Sequence, residues 1–539
     1  MRSGCPKFSR GDVSAFLSPS DENAEQSYLL ASLVLVSLLT VVVPLFFIVT
    51  DVPALLLISF AGVIYAALII GRDIFFEGVT SALFVFVLFN ANVPLISGPG
   101  PAQINLLLVD VVLIPTLLTL LYQRHIDSPS FSLNARTIAT ACLGVFVLWS
   151  FVSAVVSNGQ FQSAGLMFGV SQLRNLLILL TSTLVIRRTS VWCGIYPLVV
   201  SVGGNLLFAI AEVFNGSSFG LTYLGEVGGG YIETVSLGIT SVRAGLYAGA
   251  YVGSSRTLVA ILILVLPIAA AACLRWDTWG RIVTVIYVVA GAFLVRVSAT
   301  DAGLMALLLS LGLSIACLLY YAYRESEMAY LTTVGAFALG IAATVALYAS
   351  RRIGGSDSNQ PSDTSSDNGG QANASGREVS GTTGSTRNPT TVEEQLIEIL
   401  SAVPIVNVNN LSIRLQQYAA AIQISIDHPL FGIGGHNFNR VATSYGLPHQ
   451  IQIHNTFFAY LVATGIPGLL AYLGSILVIL TIAVRRAVSG IGNDGMVWGL
   501  IAAGMVGFHA FSFWTTVHSS VMAYGAFWAV SGLVIGYND

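Results

Sequence analysis

Between Tyr28 and Gly536 the chain is a succession of apolar runs about 20 residues long, joined by short polar connections. A run of that length, wound as an α-helix, rises about 30 Å, the thickness of the hydrocarbon core of a bilayer. Only one polar interruption is long, from Ser350 to Ile453. Such a pattern leaves few folds open. In lipid every backbone N–H and C=O must be satisfied within the protein, so spanning segments are helices or closed barrels. Barrel strands alternate in short segments, and these runs do not. Of the 539 residues only 9% are charged, against ~25% in soluble domains. The expected class is an all-α integral membrane protein of about 12–14 transmembrane helices, with short amphipathic helices in one large extracytoplasmic loop.

Hydropathy places fourteen runs near residues 28–49, 52–70, 79–96, 104–122, 137–156, 170–186, 191–213, 250–273, 282–298, 302–323, 329–349, 456–484, 496–512 and 518–536. With the N-terminus in the cytoplasm, Arg72, Arg124, Arg136, Arg187, Arg188, Arg275, Arg281, Arg324, Arg485 and Arg486 fall inside. The connections at 97–103, 157–169 and 513–517 then carry no Lys or Arg, as the positive-inside rule requires. Both termini are thus expected in the cytoplasm of a multi-pass cell-membrane protein. Residues 1–27 form a polar tail, 28–349 an N-terminal bundle, 350–453 the extracytoplasmic loop, 454–536 the last helices and 537–539 a tail. Within the loop, 354–391 is rich in Ser, Thr, Gly, Asn and Asp and reads as disordered, while 392–453 reads as ordered. Apolar residues at helical spacing from Val392 to Leu400, and again from Leu411 to Ile426, predict two short helices at the membrane surface.

Net charge is −3, which excludes a nucleic-acid footprint. The five cysteines (Cys5, Cys142, Cys193, Cys273, Cys317) have no paired spacing, and no HxH or HxxxH occurs. No metal or cofactor is expected. The chemistry-bearing residues sit near the outer face. Arg174, Arg243, Arg256 and Arg296 lie in or near outer ends of spans, and Arg414 opens the second loop helix. Guanidinium forks suit phosphate oxygens, so these five are candidates for an anion site, with Asp110 a plausible arginine partner. His428, His436, His449 and His454 lie in the loop module, and His509 and His518 flank the last outer turn. His454 stands at the start of a span and is the best candidate to accept a hydroxyl proton. Gly432, Gly434 and Gly435 suit a tight turn that presents His436 and Asn437. Gly465, Pro467 and Gly468 should break or bend the helix that follows His454.

Taken in order, Arg414, His428-Pro429-Leu430-Phe431-Gly432-Ile433-Gly434, Asn437-Phe438, His454-Asn455 and Gly465-Ile466-Pro467-Gly468-Leu469-Leu470 resemble the O-antigen ligase and polymerase superfamily. The resemblance covers about 60 residues, Arg414 to Leu473. It implies a GT-C-like, metal-independent, inverting glycosyltransferase. Such an enzyme moves a glycan from a polyprenyl diphosphate, or a dolichol equivalent, to a hydroxyl on a glycolipid, glycan or protein acceptor. His454 would then be the catalytic residue, with the arginines, Asn455, His436 and Asn437 binding substrate. The Ser-Arg-Gly run of many members reads Ser298-Ala299-Thr300-Asp301-Ala302 here, which leaves Arg296 or Arg256 to take its place. The competing reading is a transporter or flippase of lipid-linked sugars, which predicts repeated halves and charges at mid-membrane.

Overall fold

The computed structural model describes residues 75–90, 92–97, 103–107, 134–157, 162–215, 232–236, 241–245, 250–252, 254–274, 277–298, 301–325, 328–354, 408–447, 452–490, 492–515 and 520–537, with a few isolated positions between them. The expected spans 28–49 and 52–70, the helix at 392–400, the polar stretch after Gly354, and Cys5, His125, His449 and His518 lie outside the described residues. What is described is mainly helical, with two short β-hairpins. In chain order it comprises α1 (Phe75–Phe86), α2 (Ala135–Val156), α3 (Gln162–Ile186), α4 (Trp192–Asn215), α5 (Ser255–Leu274), α6 (Asp277–Val297), α7 (Asp301–Glu325) and α8 (Met328–Gly354). There follow α9 (Val408–Asp427), α10 (Phe438–Val441), α11 (Thr456–Ser489), α12 (Gly492–Trp514) and α13 (Val521–Gly536). Among the described residues eight helices are long and apolar enough to cross a membrane, and α13 is a shorter apolar one. The protein is an all-α integral membrane protein.

One expected span, and the first residues of the next, take another form. Where 79–96 and 104–122 read as hydrophobic spans, α1 stops at Phe86, and β1 (Asn92–Ser97) pairs antiparallel with β2 (Gln103–Leu107). Asn90, Asn92 and Pro94 explain the stop, since the short amides compete for backbone groups and proline lacks the N–H a helix needs. The pairing register shifts between Pro94 and Ile96, as a proline in a strand commonly requires. A second hairpin, β3 (Ile232–Ser236) with β4 (Ser241–Gly245), separates α4 from α5 and sets Thr234 opposite Arg243.

The centre is formed by α5 and α13, whose residues are buried almost throughout. Helices apolar on all sides belong in such a position. α2 packs on α3 and α11, α3 on α13, and α12 on α5, α7 and α11. Two arginines, Arg174 partly buried and Arg486 buried, are tied into this frame. Arg174 on α3 grips Asp110 with Nε on Oδ1 and Nη2 on Oδ2, both at 2.8 Å. The same carboxylate accepts the Leu107 N–H at 2.9 Å, which anchors the end of β2. Arg486 on α11 donates to the carbonyls of Val534 and Tyr537 and lies over the rings of Trp498 and Tyr537. It caps the C-terminus of α13, where orphan carbonyls and the helix dipole favour a cation.

Candidate active site

α11 is two helices in one. Gly465 has φ +70° and ψ −173°, a non-helical conformation that splits the element after its first ten residues. The two pieces bend toward each other, with the Tyr460 and Tyr472 ring centroids 4.6 Å apart. A break of this kind frees backbone groups that must find partners when buried. They do. The Val462 and Ala463 carbonyls accept from the N–H groups of Ile433 (2.9 Å) and Gly434 (3.1 Å), and the Ile466 N–H donates to the Pro429 carbonyl (2.8 Å). α2 completes the clamp: Trp149 Nε1 donates to the carbonyls of Thr464 (3.0 Å) and Leu430 (3.1 Å), and Ser153 Oγ to those of Ala463 (2.6 Å) and Phe431.

This gives the Pro429–Gly434 run a role beyond presenting His436 and Asn437. Gly432 sits at φ +64° with its α-carbon against the Val462 and Ala463 carbonyls, so a side chain there would collide with backbone. The turn therefore serves as the template for the helix break. His436 itself adopts φ +60° and meets the ring of Phe168 edge-on. Asn437 is buried and donates through Nδ2 to the Ile433 carbonyl at 2.9 Å.

At the start of α11, the Asn455 side-chain oxygen accepts from the N–H groups of Phe457 (2.8 Å) and Phe458 (3.0 Å). It is the N-cap, two orphan donors satisfied by one amide. His454 stands immediately before it, half-buried. Its N–H donates to Gln417 Oε1 at 3.1 Å, and its carbonyl accepts from the Tyr418 hydroxyl at 3.4 Å. Tyr418 also stacks on Phe458 at 4.9 Å. Gln417 and Tyr418 follow Arg414 by three and four positions on α9, so one face of that helix supplies all three.

The third contributor is α5. Thr257 Oγ1 donates to Ser520 Oγ (2.8 Å), the Ser520 N–H to the Val517 carbonyl (2.8 Å), and the Val517 N–H to Thr456 Oγ1 (3.4 Å). This chain ties the first turn of α5, which carries exposed Arg256, to the first turn of α11. Burial, then the Arg256 and Arg414 charges, hold the His454 imidazole down to a pKa of about 4. The positive end of the α11 dipole acts in the same direction. At pH 7 His454 is therefore neutral. The site thus holds a neutral imidazole, able to accept a proton, within the field of two guanidinium groups from different helices.

Of the other residues singled out in the sequence, Arg174 is engaged by Asp110, Arg296 is buried in the last turn of α6, and Arg243 lies on β4 opposite Thr234. His428 is exposed beside the turn. His509 packs among the rings of Phe457, Tyr472, Phe508 and Phe527. No group of three potential metal ligands occurs among the described residues. Gln417 and Tyr418 were not singled out in the sequence; their signal was only the helical spacing to Arg414.

Residues 286–473 match the family model described as O-antigen ligase, from within α6 to just beyond the break in α11. No curated protein matches the chain.

Proposed function

From the match of residues 286–473 to the O-antigen ligase family model, we propose that the chain is a membrane glycan-processing enzyme, a glycosyltransferase. It takes a glycan from a polyprenyl or dolichyl diphosphate and transfers it to an acceptor hydroxyl at the extracytoplasmic face. The observation that carries this reading is the convergence of α5, α9 and α11 on His454, with Arg256 and Arg414 acting on the neutral imidazole.

The chemistry follows from that arrangement. The acceptor oxygen attacks the anomeric carbon from the side opposite the diphosphate. The bond from that carbon to the diphosphate oxygen breaks, and its electron pair leaves with the phosphate. The hydroxyl proton passes to the imidazole of His454. A single displacement inverts the anomeric centre. Negative charge develops on the departing diphosphate, where the guanidinium groups of Arg256 and Arg414 stabilise it. These two cations can fill the electrostatic role that a metal plays in other phosphate-leaving reactions, so the proposed reaction is metal-independent. The arginine asymmetry of the connections supports an extracytoplasmic His454 and cytoplasmic termini.

The test is glycan profiling of a deletion strain complemented with wild type or with His454→Ala. Accumulated lipid-linked precursor and missing surface glycan in the deletion and the variant, both restored by wild type, support transfer. Full complementation by His454→Ala would overturn the assignment and favour transport of the lipid-linked sugar.

A further inference from the structure

The two pieces of α11 are also joined inside the bundle, at a cluster of hydroxyl groups. Tyr460 lies on the first piece, Tyr472 on the second and Tyr524 on α13, and all three are buried. The Tyr472 and Tyr524 hydroxyls are 3.0 Å apart. The Tyr524 hydroxyl also faces those of Tyr460, of Thr456 in the first turn of α11, and of Ser512 on α12. Packing alone could hold the rings, which meet edge-on. Buried hydroxyls need more than packing, because each must find a hydrogen-bond partner.

The proton count fixes the direction of these bonds. A hydroxyl donates one proton and can accept through two lone pairs. Ser512 gives its proton to the Phe508 carbonyl (2.9 Å) and Thr456 gives its own to the Thr515 carbonyl (3.4 Å), so neither has one left for Tyr524. The phenols of Tyr460 and Tyr472 can donate to it. The arrangement that satisfies the cluster therefore has Tyr524 accepting from the two tyrosines and donating to Thr456 or Ser512. Thr456 has the greater need. Its other two bonds, to the Thr515 carbonyl and from the Val517 N–H, are both 3.4 Å, beyond the usual range, whereas Ser512 already makes one of normal length.

Tyr524 follows Ser520, the N-cap of α13, by four residues, so the two stand on one face, a turn apart. Ser520 Oγ accepts from Thr257, the residue after Arg256. Tyr524 faces Thr456, the second residue after His454. One turn of α13 thus reaches both sides of the site. We infer that Tyr524 is a positioning residue: its hydroxyl bond to Thr456 fixes the first turn of α11, and with it the placement of His454 relative to Arg256. Tyr460 and Tyr472 hold that hydroxyl in aim from the two pieces of the broken helix. The inference rests on the glycosyl-transfer reading only for what His454 does once it is placed.

The experiment follows the His454 resonance of histidine-labelled, full-length protein in lipid nanodiscs, with thermal unfolding alongside and surface glycan scored in the complemented deletion strain. Tyr524→Phe keeps the ring and removes the bond to Thr456. It should raise the His454 midpoint by about 0.5 pH unit, as burial and the Arg256 field both relax. Surface glycan should fall about tenfold, the worth of one net hydrogen bond in placing the base. Tyr472→Phe removes an equally buried hydroxyl from the same cluster but leaves the bond to Thr456. It should lower the unfolding temperature by a similar amount while leaving the midpoint and the glycan in place, a separation that a merely structural role would not produce. Thr456→Val should reproduce the Tyr524→Phe shift, and adding Tyr524→Phe to it should change nothing further. A midpoint unmoved by both Tyr524→Phe and Thr456→Val, or moved equally by Tyr472→Phe, overturns the proposal. So does an equal shift in Ser512→Ala, which would make Ser512 the acceptor. The resonance needs no turnover. Normal glycan in His454→Ala together with a shifted midpoint in Tyr524→Phe would overturn only the catalytic assignment and uphold the positioning.

Discussion

The field of Arg256 and Arg414 at His454 makes a specific prediction about the donor. Burial and the two charges bring the imidazole from its usual 6.5 to about 4. At 1.36 kcal/mol for each pH unit, the opposition to protonation is about 2–3 kcal/mol after allowance for solvent screening at a half-buried group. A diphosphate bound between the arginines offsets the charge part of this and leaves the burial part. His454 should then titrate about one pH unit higher, which improves it as a base at the moment an acceptor needs one. Arg256→Gln should raise it in the empty protein by a smaller amount in the same direction. The assay is NMR titration of histidine-labelled protein in nanodiscs, with His454→Gln assigning the resonance among the seven histidines. Spectra are compared without ligand, with geranyl diphosphate and with geraniol. The diphosphate should move the midpoint upward and the alcohol should leave it in place. A midpoint near 6.5 in the empty wild type, or one indifferent to both diphosphate and Arg256→Gln, refutes the reasoning. The sign also fixes a stability effect. A histidine whose folded pKa lies below 6.5 contributes nothing above that pH and loses stability as pH falls from 6.5 through about 4.

Three further outcomes follow from the frame around the site. Asn455→Ala removes the cap of α11 and should cost about 1 kcal/mol, together with a drop in turnover as His454 loses its placement; Asn455→Asp should restore most of both, measured by thermal unfolding and glycan transfer. Gly465→Ala forces a side chain into φ +70° and against the Leu430 and Pro429 carbonyls, and should destabilise by roughly 1–3 kcal/mol or more, seen as lost monodispersity on size-exclusion chromatography in detergent. Asp110→Asn leaves the partly buried Arg174 charge without its carboxylate and should cost about 2–4 kcal/mol, whereas Asp110→Asn combined with Arg174→Gln should recover part of that; equal losses in single and double variants would sink the ion-pair argument.

Much of this architecture could be read from residue order because a bilayer imposes a single length on every spanning helix. The boundaries of α2, α4 and α7 fall within a few residues of the hydropathy reading. The break at Gly465 was marked by its glycines and Pro467, and α9 by its amphipathic spacing. The hairpin β1–β2 was missed because 79–96 is apolar enough to span, and hydropathy is blind to the amides and Pro94 that stop the helix. The work of the Pro429–Gly434 turn was hidden for a different reason. Its partners on α2 are some 280 residues away, and no local periodicity carries that information. Arg174 was grouped with the substrate-binding arginines on charge and depth alone, criteria that an ion pair with Asp110 satisfies equally well.

The clamp at the broken helix also has a bearing on how the protein is made. Ser153 enters the membrane 278 residues before Phe431, the carbonyl it is meant to hold, has been synthesised. At about 5–20 residues per second, the ribosome needs roughly 15–55 s to cover that interval. Throughout it, Trp149 and Ser153 sit in a nascent bundle without the backbone they are shaped to receive. The N-terminal helices are thus a receptor awaiting its ligand, and the ligand is the chain's own last third.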